Sequence, residues 1–337
     1  MTSHAIARAL VHDLSRLPGH MKLPKNHLYD YPTLLPFQPF SLGGWCGYDA
    51  MRPEIMPAQG ALSNNDATLL VRHPVATYFA LTFTISWVGA LLVAAPHLMR
   101  GEPLPKMTGI LMFPAMLLGP SIAGVVLTRI VDGKDGVRDL FSRMFHWRFP
   151  THWYAALLIP PILVLTVLLI LKTFVSSSYA PNLFLMGLLF GVPAGYLEEI
   201  GWMGYAFPKM RSQNNALAPS ILLGLLWSAW HLPVIDYLGT ATPHGAYWLP
   251  FFLTFTAAMT AIRVLISWTY SNTNSVLLAQ LLHMSSTGAL VIFSAPRLAA
   301  GQEATWYGLY AATLWFVVAV VVKIFGKRLT AKGTFHA

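Results

Sequence analysis

Charge is scarce in this sequence. Asp, Glu, Lys and Arg make up 10% of its 337 residues, whereas a soluble globular protein carries about 25%. Hydrophobic residues reach 55% and mean hydropathy is +0.54. So little charge cannot cover a water-facing surface of this size. That excludes a disordered chain, a nucleic-acid-binding domain and an ordinary cytosolic enzyme, and it points to lipid as a solvent. Cysteine is nearly absent: the single Cys46 excludes an intrachain disulfide and any Cys-rich zinc or iron–sulfur site. There is no internal repeat and no low-complexity tract. Residues 1–17 lack the unbroken apolar core of a secretory signal.

What is present divides the chain. Residues 1–72 are polar and carry the turn-forming pairs Tyr31-Pro32, Leu35-Pro36 and Arg52-Pro53. They are expected to form a loosely ordered cytoplasmic tail. Ile6, Leu10, Leu14 and Leu17 share one helical face, so a short interfacial helix is the alternative. From Val75 onward apolar runs of about 20 residues recur, the length that crosses hydrocarbon as a helix. Eight are expected, near 75–95, 109–130, 153–174, 183–207, 219–238, 248–270, 275–293 and 306–324. The expected fold is therefore an all-α, multi-pass membrane protein whose helical domain spans 73–326, followed by a short basic tail at 327–337. Pro114, Pro120, Pro160, Pro161 and Pro193 fall inside these runs and are expected to kink them.

Lys and Arg in the connections set the orientation. One side collects Arg72, Arg129, Lys134, Arg138, Arg143, Arg148, Lys209, Arg211, Lys323, Lys327, Arg328 and Lys332. The other has Arg100, Lys106, Lys172 and Arg297. This imbalance places both termini in the cytoplasm, makes 131–150 a basic loop on anionic headgroups, and leaves membrane lipids as an obligatory partner. With no targeting segment legible, the expected location is the bacterial cytoplasmic membrane.

Ionisable residues within a span are costly and mark function. Glu198 and Glu199 lie in the fourth run, His231 in the fifth and His283 in the seventh; Arg263, in the sixth, lies near its cytoplasmic end and can snorkel. Adjacent helical residues diverge by about 100°, so only one carboxylate of the pair can face a reactive cavity. His231 follows Trp227 by four residues and His283 precedes Thr287 by four, giving two polar faces. Counted from the cytoplasmic ends, Glu199 and His283 sit roughly 12 Å deep and His231 roughly 18 Å deep at 1.5 Å per residue. One cavity opening to the cytoplasm could hold all three. A carboxylate there can serve as a base toward water, neutral histidines can offer N–H groups to an oxyanion, and Thr287 adds a hydroxyl. This inventory fits water-attack hydrolysis of an amide.

At these residues the chain resembles a known family. Glu198-Glu199-Ile200-Gly201-Trp202-Met203-Gly204-Tyr205 resembles its EExxxR motif, Trp227-Ser228-Ala229-Trp230-His231 its aromatic-xxx-His motif, and 275–283, ending in His283, its third motif, HxxxN or a variant. This is the CPBP family of CAAX prenyl-processing endopeptidases and bacteriocin-processing or self-immunity (Abi) proteins. The resemblance implies an intramembrane glutamic endopeptidase with no required metal or cofactor, acting on a membrane-associated peptide such as a prenylated CAAX terminus. Glu199 would activate water, Glu198 would orient it or share the proton, and His231 and His283 would position water and stabilise the oxyanion.

Two positions depart from the motifs. The arginine of the first is Met203, and the asparagine often following the third-motif histidine is Thr287. Methionine fills volume but cannot hold a carboxylate. Either another cation, Arg211 or Arg263, substitutes, or activity is weak with an alkaline-shifted optimum, or the chain is a non-catalytic immunity or scaffold factor. Intramembrane Glu and His also mark proton relays, bis-histidine haem sites and Glu/His metal sites; the paired broken spans of a transporter are missing here.

Overall fold

A backbone in hydrocarbon has no water to bond, so each apolar run must satisfy its own N–H and C=O groups as a helix. The computed structural model describes residues 71–331, and these contain helices and connections with only one isolated bridge, Ser212 to Asn215. The expected polar tail, its interfacial-helix alternative, Cys46 and the last six residues lie outside the described residues. In chain order the helices are α1 (Pro74–Met99), α2 (Lys106–Met116), α3 (Leu118–Leu127), α4 (Gly133–Met144), α5 (Ile159–Phe174), α6 (Leu188–Gly201), α7 (Phe207–Met210), α8 (Leu217–Trp230), α9 (Trp248–Thr273), α10 (Val276–Ile292) and α11 (Ala300–Phe325).

Each expected run contains helix, but among the described residues only five stretches are long and apolar enough to cross a membrane: Pro74–Met99, Lys106–Met144, Thr151–Phe174, Gly245–Thr273 and Ala300–Arg328. The other three are shorter. α8 has 14 residues and α10 has 17, about 21 Å and 26 Å long. α6 has 14 residues and continues through a π-helical turn, Trp202–Ala206, into α7. The run expected at 219–238 ends as an α-helix at Trp230, because Pro233 lacks an N–H and disfavours helical backbone at Leu232. Residues 131–150 are not a plain loop. They include amphipathic α4, which buries Leu140 and Met144 and exposes Lys134 and Arg138. Pro160 and Pro161 sit in the first turn of α5, where no intrahelical donor is needed, and Pro114 and Pro193 lie within α2 and α6.

Packing places α6, α8, α9 and α10 at the centre. α6 packs most extensively on α10, and α9 on α11 and α8. Glycines allow the first of these contacts. A Cβ on Gly191 would lie 2.8 Å from Met284 O, and one on Gly195 would lie 2.6 Å from Gln280 O and from Met284 N. Small residues at these two turns let the backbones approach closely. α9 is buried on every side from Ala258 through Ser267, Arg263 included.

The bundle has two ends, each tied by its own hydrogen bonds. At one, Lys209 pairs with Asp132 (2.8 Å), Arg143 donates to Tyr270 Oη (2.7 Å) and Gly204 O (3.1 Å), and Ser275 donates to His146 O (2.6 Å). The first residues after α11 dock there: Ala216 N–H donates to Lys327 O (2.9 Å) and Leu329 is buried. At the other end Phe184 N–H donates to Ile292 O (2.9 Å) and Tyr179 Oη to Gln302 O (3.3 Å). Lys209, Arg143 and Lys327, three of the twelve basic residues counted on the larger side, take part in these contacts at the first end.

Candidate active site

Glu198 and Glu199 lie near the end of α6, both fully buried. Their side chains diverge as adjacent helical positions must. Glu198 Oε2 accepts from the indole Nε1 of Trp202 (3.1 Å) and Trp227 (2.7 Å). Its Oε1 has no hydrogen-bond partner among the described residues. Glu198 lines a cavity of about 200 Å³, together with Trp227, His231, His283 and Thr287. Glu199 is not among the lining residues. Arg263 Nη1 lies 2.8 Å from both of its oxygens, and His283 Nδ1 lies 2.7 Å from Oε1. The two carboxylates therefore exchange the places expected of them: Glu198 faces the cavity and Glu199 stands behind it.

The histidines present a different edge from the one expected. His231 follows the last residue of α8, with Nδ1 2.8 Å from Trp227 O. A carbonyl oxygen only accepts, so Nδ1 carries the proton and the neutral ring keeps a lone pair on Nε2. An ionised carboxylate likewise only accepts, so His283 donates from Nδ1 to Glu199. Neutral, both rings offer an acceptor at Nε2 rather than the N–H expected for an oxyanion. Aromatic rings surround His231: Phe113 stacks at 6.1 Å, and Trp230 and Phe255 meet it edge-on at 4.9 Å and 5.4 Å.

Arg263 does not snorkel. It is fully buried midway along the most enclosed helix, where Glu199 neutralises it. Its Cζ lies 4.2 Å from the centre of the Trp227 ring, while Nε and Nη2 have no acceptor among the described residues. Met203 is buried in the π-helical turn after Glu199 and brings no charge. Arg211 is no substitute cation. It lies over the rings of Tyr270 (5.5 Å) and Phe207 (5.9 Å), at the basic end.

Two contributors escaped the sequence reading. Trp202 follows Glu198 by four residues, a spacing that places its N–H over the carboxylate. Glu303, in the first turn of α11, lines the cavity's far part. Its oxygens accept from the backbone N–H of Thr240 and Ala241, both at 2.9 Å, and pin the connection between α8 and α9. Leu238, Gly239, Thr240, Ser294 and Trp306 line the same part. The cavity thus extends away from the basic end, not toward it as expected. The remaining wall is aromatic and aliphatic, including Phe113, Leu168, Phe255 and Leu290. Among the described residues, no three His, Cys, Asp or Glu side chains are grouped so that they could hold a metal ion.

The fold and this site define a class: a helical membrane protein with a buried Glu/His cluster on an apolar cavity. Comparison with known proteins narrows it. Residues 180–289, which contain all three motifs, match the family model described as Type II CAAX prenyl endopeptidase Rce1-like. The chain is also 25% identical over 276 residues to CAAX prenyl protease 2 of Methanococcus maripaludis, a match covering 75% of this chain and 94% of that protein. The two findings support the CPBP/CAAX protease family and, with the apolar helices, an integral membrane protease.

Proposed function

We propose that this protein is a metal-independent, intramembrane glutamic endopeptidase in which Glu198, not Glu199, activates water. The observation that carries the proposal is the unpartnered Oε1 of a buried Glu198 on a cavity shared with His231, His283 and Thr287. A water held between Glu198 Oε1 and the Nε2 lone pair of His231 would give both hydrogens to acceptors and turn its own lone pairs toward a substrate carbonyl. As the C–O bond forms, the proton passes to Glu198 and later to the leaving amine. His283 enters the step already protonated at both nitrogens, its charge balanced by Glu199 against Nδ1, and keeps both protons while Nε2–H donates to the oxyanion beside Thr287.

The apolar cavity wall suits a membrane-associated polypeptide with a bulky apolar group. The relative's name makes a prenylated CAAX-type C terminus the first substrate to try. We take all eight helical segments as crossings, with both termini on the basic, cytoplasmic side of a bacterial membrane. The reading of an impaired immunity or scaffold factor stood on Met203, and Arg263 provides Glu199 with the cation that Met203 does not. The test is cleavage by Glu198→Gln protein in lipid. Loss of the base should cost about 10²–10⁴-fold in turnover with the fold retained. Unimpaired cleavage would sink the assignment.

A further inference from the structure

Four groups of the proposed reaction, Glu198, Glu199, His231 and His283, come from three helices and do not all touch one another. They meet through two side chains outside the reacting set. Trp227 donates its indole N–H to Glu198 (2.7 Å), its carbonyl receives His231 Nδ1–H (2.8 Å), and its ring lies edge-on to His283 at 5.0 Å. Arg263 grips Glu199, which in turn holds His283, and lies over the face of the same Trp227 ring at 4.2 Å. One guanidinium thus reaches the Glu199–His283 pair by charge and the Glu198–His231 pair through the indole it covers. Its planar shape suits both contacts, since a delocalised cation can pair with a carboxylate at its edge and stack by its face.

Burial makes this arrangement more than ballast. Arg263 is fully buried with only Nη1 bonded, an expensive way to fill a helix interior, and an apolar residue facing a neutral Glu199 would pack there at less cost. The geometry points to Arg263 as the positioning residue of the site: it fixes Glu199, and through it His283, while clamping Trp227, and through it Glu198 and His231. The charge that would otherwise stand at Met203, in the π-helical turn that follows α6, has been moved to α9, so the site is assembled only when α9 is seated against α8 with Arg263 reaching Glu199.

This inference rests on the proteolytic reading, and the experiment separates the two. Arg263→Met alone strands the buried Glu199 charge and can unfold the protein, so the test uses Arg263→Met combined with Glu199→Gln, which removes both charges together. Purified in detergent, that protein should keep a cooperative melt near the wild-type midpoint, with KM little changed and kcat down about a hundredfold from the joint loss of Glu199 behind His283 and of the clamp on Trp227, so the share of Arg263 itself is read from a variant that keeps Glu199. Arg263→Lys, which keeps the charge but loses the planar fork, should fall between. Adding Met203→Arg to Arg263→Met, with Glu199 intact, returns a guanidinium to Glu199 and should recover stability more than kcat, because Trp227 stays unclamped. Wild-type kcat in the folded double variant, or in Arg263→Lys, overturns the positioning role while leaving Glu198 untouched. Activity in Glu198→Gln overturns the proteolytic reading itself.

Discussion

With its Nδ1 proton committed to the Trp227 carbonyl at 2.8 Å, His231 can do chemistry only at Nε2. The two ring nitrogens can therefore be tested separately. An asparagine places an amide N–H near the Nδ1 position and nothing at Nε2. His231→Asn should keep the local hydrogen bond and a thermal midpoint near wild type, while turnover falls by about 10²-fold or more. A variant that melts normally and cleaves at the wild-type rate would show that Nε2 is idle. The same reasoning explains what was legible at the carboxylates. Adjacent positions on a helix cannot both face one cavity, so the division of labour between Glu198 and Glu199 followed from spacing alone. Which of them faces the cavity did not, because it depends on Arg263, 64 residues beyond Glu199, and on the indoles that fix Glu198.

Helix contacts decide how closely those residues meet. α6 and α10 approach at Gly191 and Gly195, and this contact sets the 2.7 Å distance from Glu199 to His283. A methyl at Gly195 would meet backbone atoms of α10 at 2.6 Å, and backbone cannot swing aside as a flexible side chain can. Gly195→Ala should therefore destabilise the protein by about 1–3 kcal/mol and lower turnover by more than the unfolded fraction accounts for. Gly308→Ala on α11 is the control: its new Cβ would have only Thr254 Cγ2 nearby, at 3.4 Å, and should be near neutral in melting and cleavage. If both substitutions behave alike, close packing of α6 on α10 does not set the site. At this scale composition revealed most of the fold, because an apolar run of sufficient length has no other stable form in lipid. It hid the early end of α8, since the residues past the proline that stops the helix are apolar as far as Leu238 apart from Asp236. It also hid α4, whose charges read as a loop although Leu140 and Met144 recur at a helical interval.

Across the whole bundle, short helices and the cavity go together. α8 spans about 21 Å at 1.5 Å per residue, less than the hydrocarbon core. Beyond Trp230 the chain runs as irregular backbone with short 3₁₀ turns as far as α9. Such backbone is tolerated at membrane depth only where protein buries it or water reaches it. Protein supports it here and a cavity meets it: Glu303 binds two of its amides, and Leu238, Gly239 and Thr240 line the cavity. Exposure rises along the cavity, from fully buried Glu198 and nearly buried His283 to half-buried Thr240 and Ser294 and exposed Gly239. The basic end, by contrast, is closed over by buried Tyr205, Phe207 and Tyr270. The cavity mouth and the basic face should therefore lie on opposite sides of the membrane. With Cys46 replaced by serine, Lys134→Cys on α4 and Ser294→Cys at the cavity rim become the sole thiols of two proteins in sealed, uniformly oriented vesicles. A membrane-impermeant maleimide should label one from outside and the other only after permeabilisation, with Lys134→Cys on the cytoplasmic side if the excess of Lys and Arg sets orientation in the usual sense. Labelling of both from the same side would mean that the bundle does not span the membrane along the axis joining its two ends, and the division of the molecule into a basic cap and an opposing mouth would fail with it.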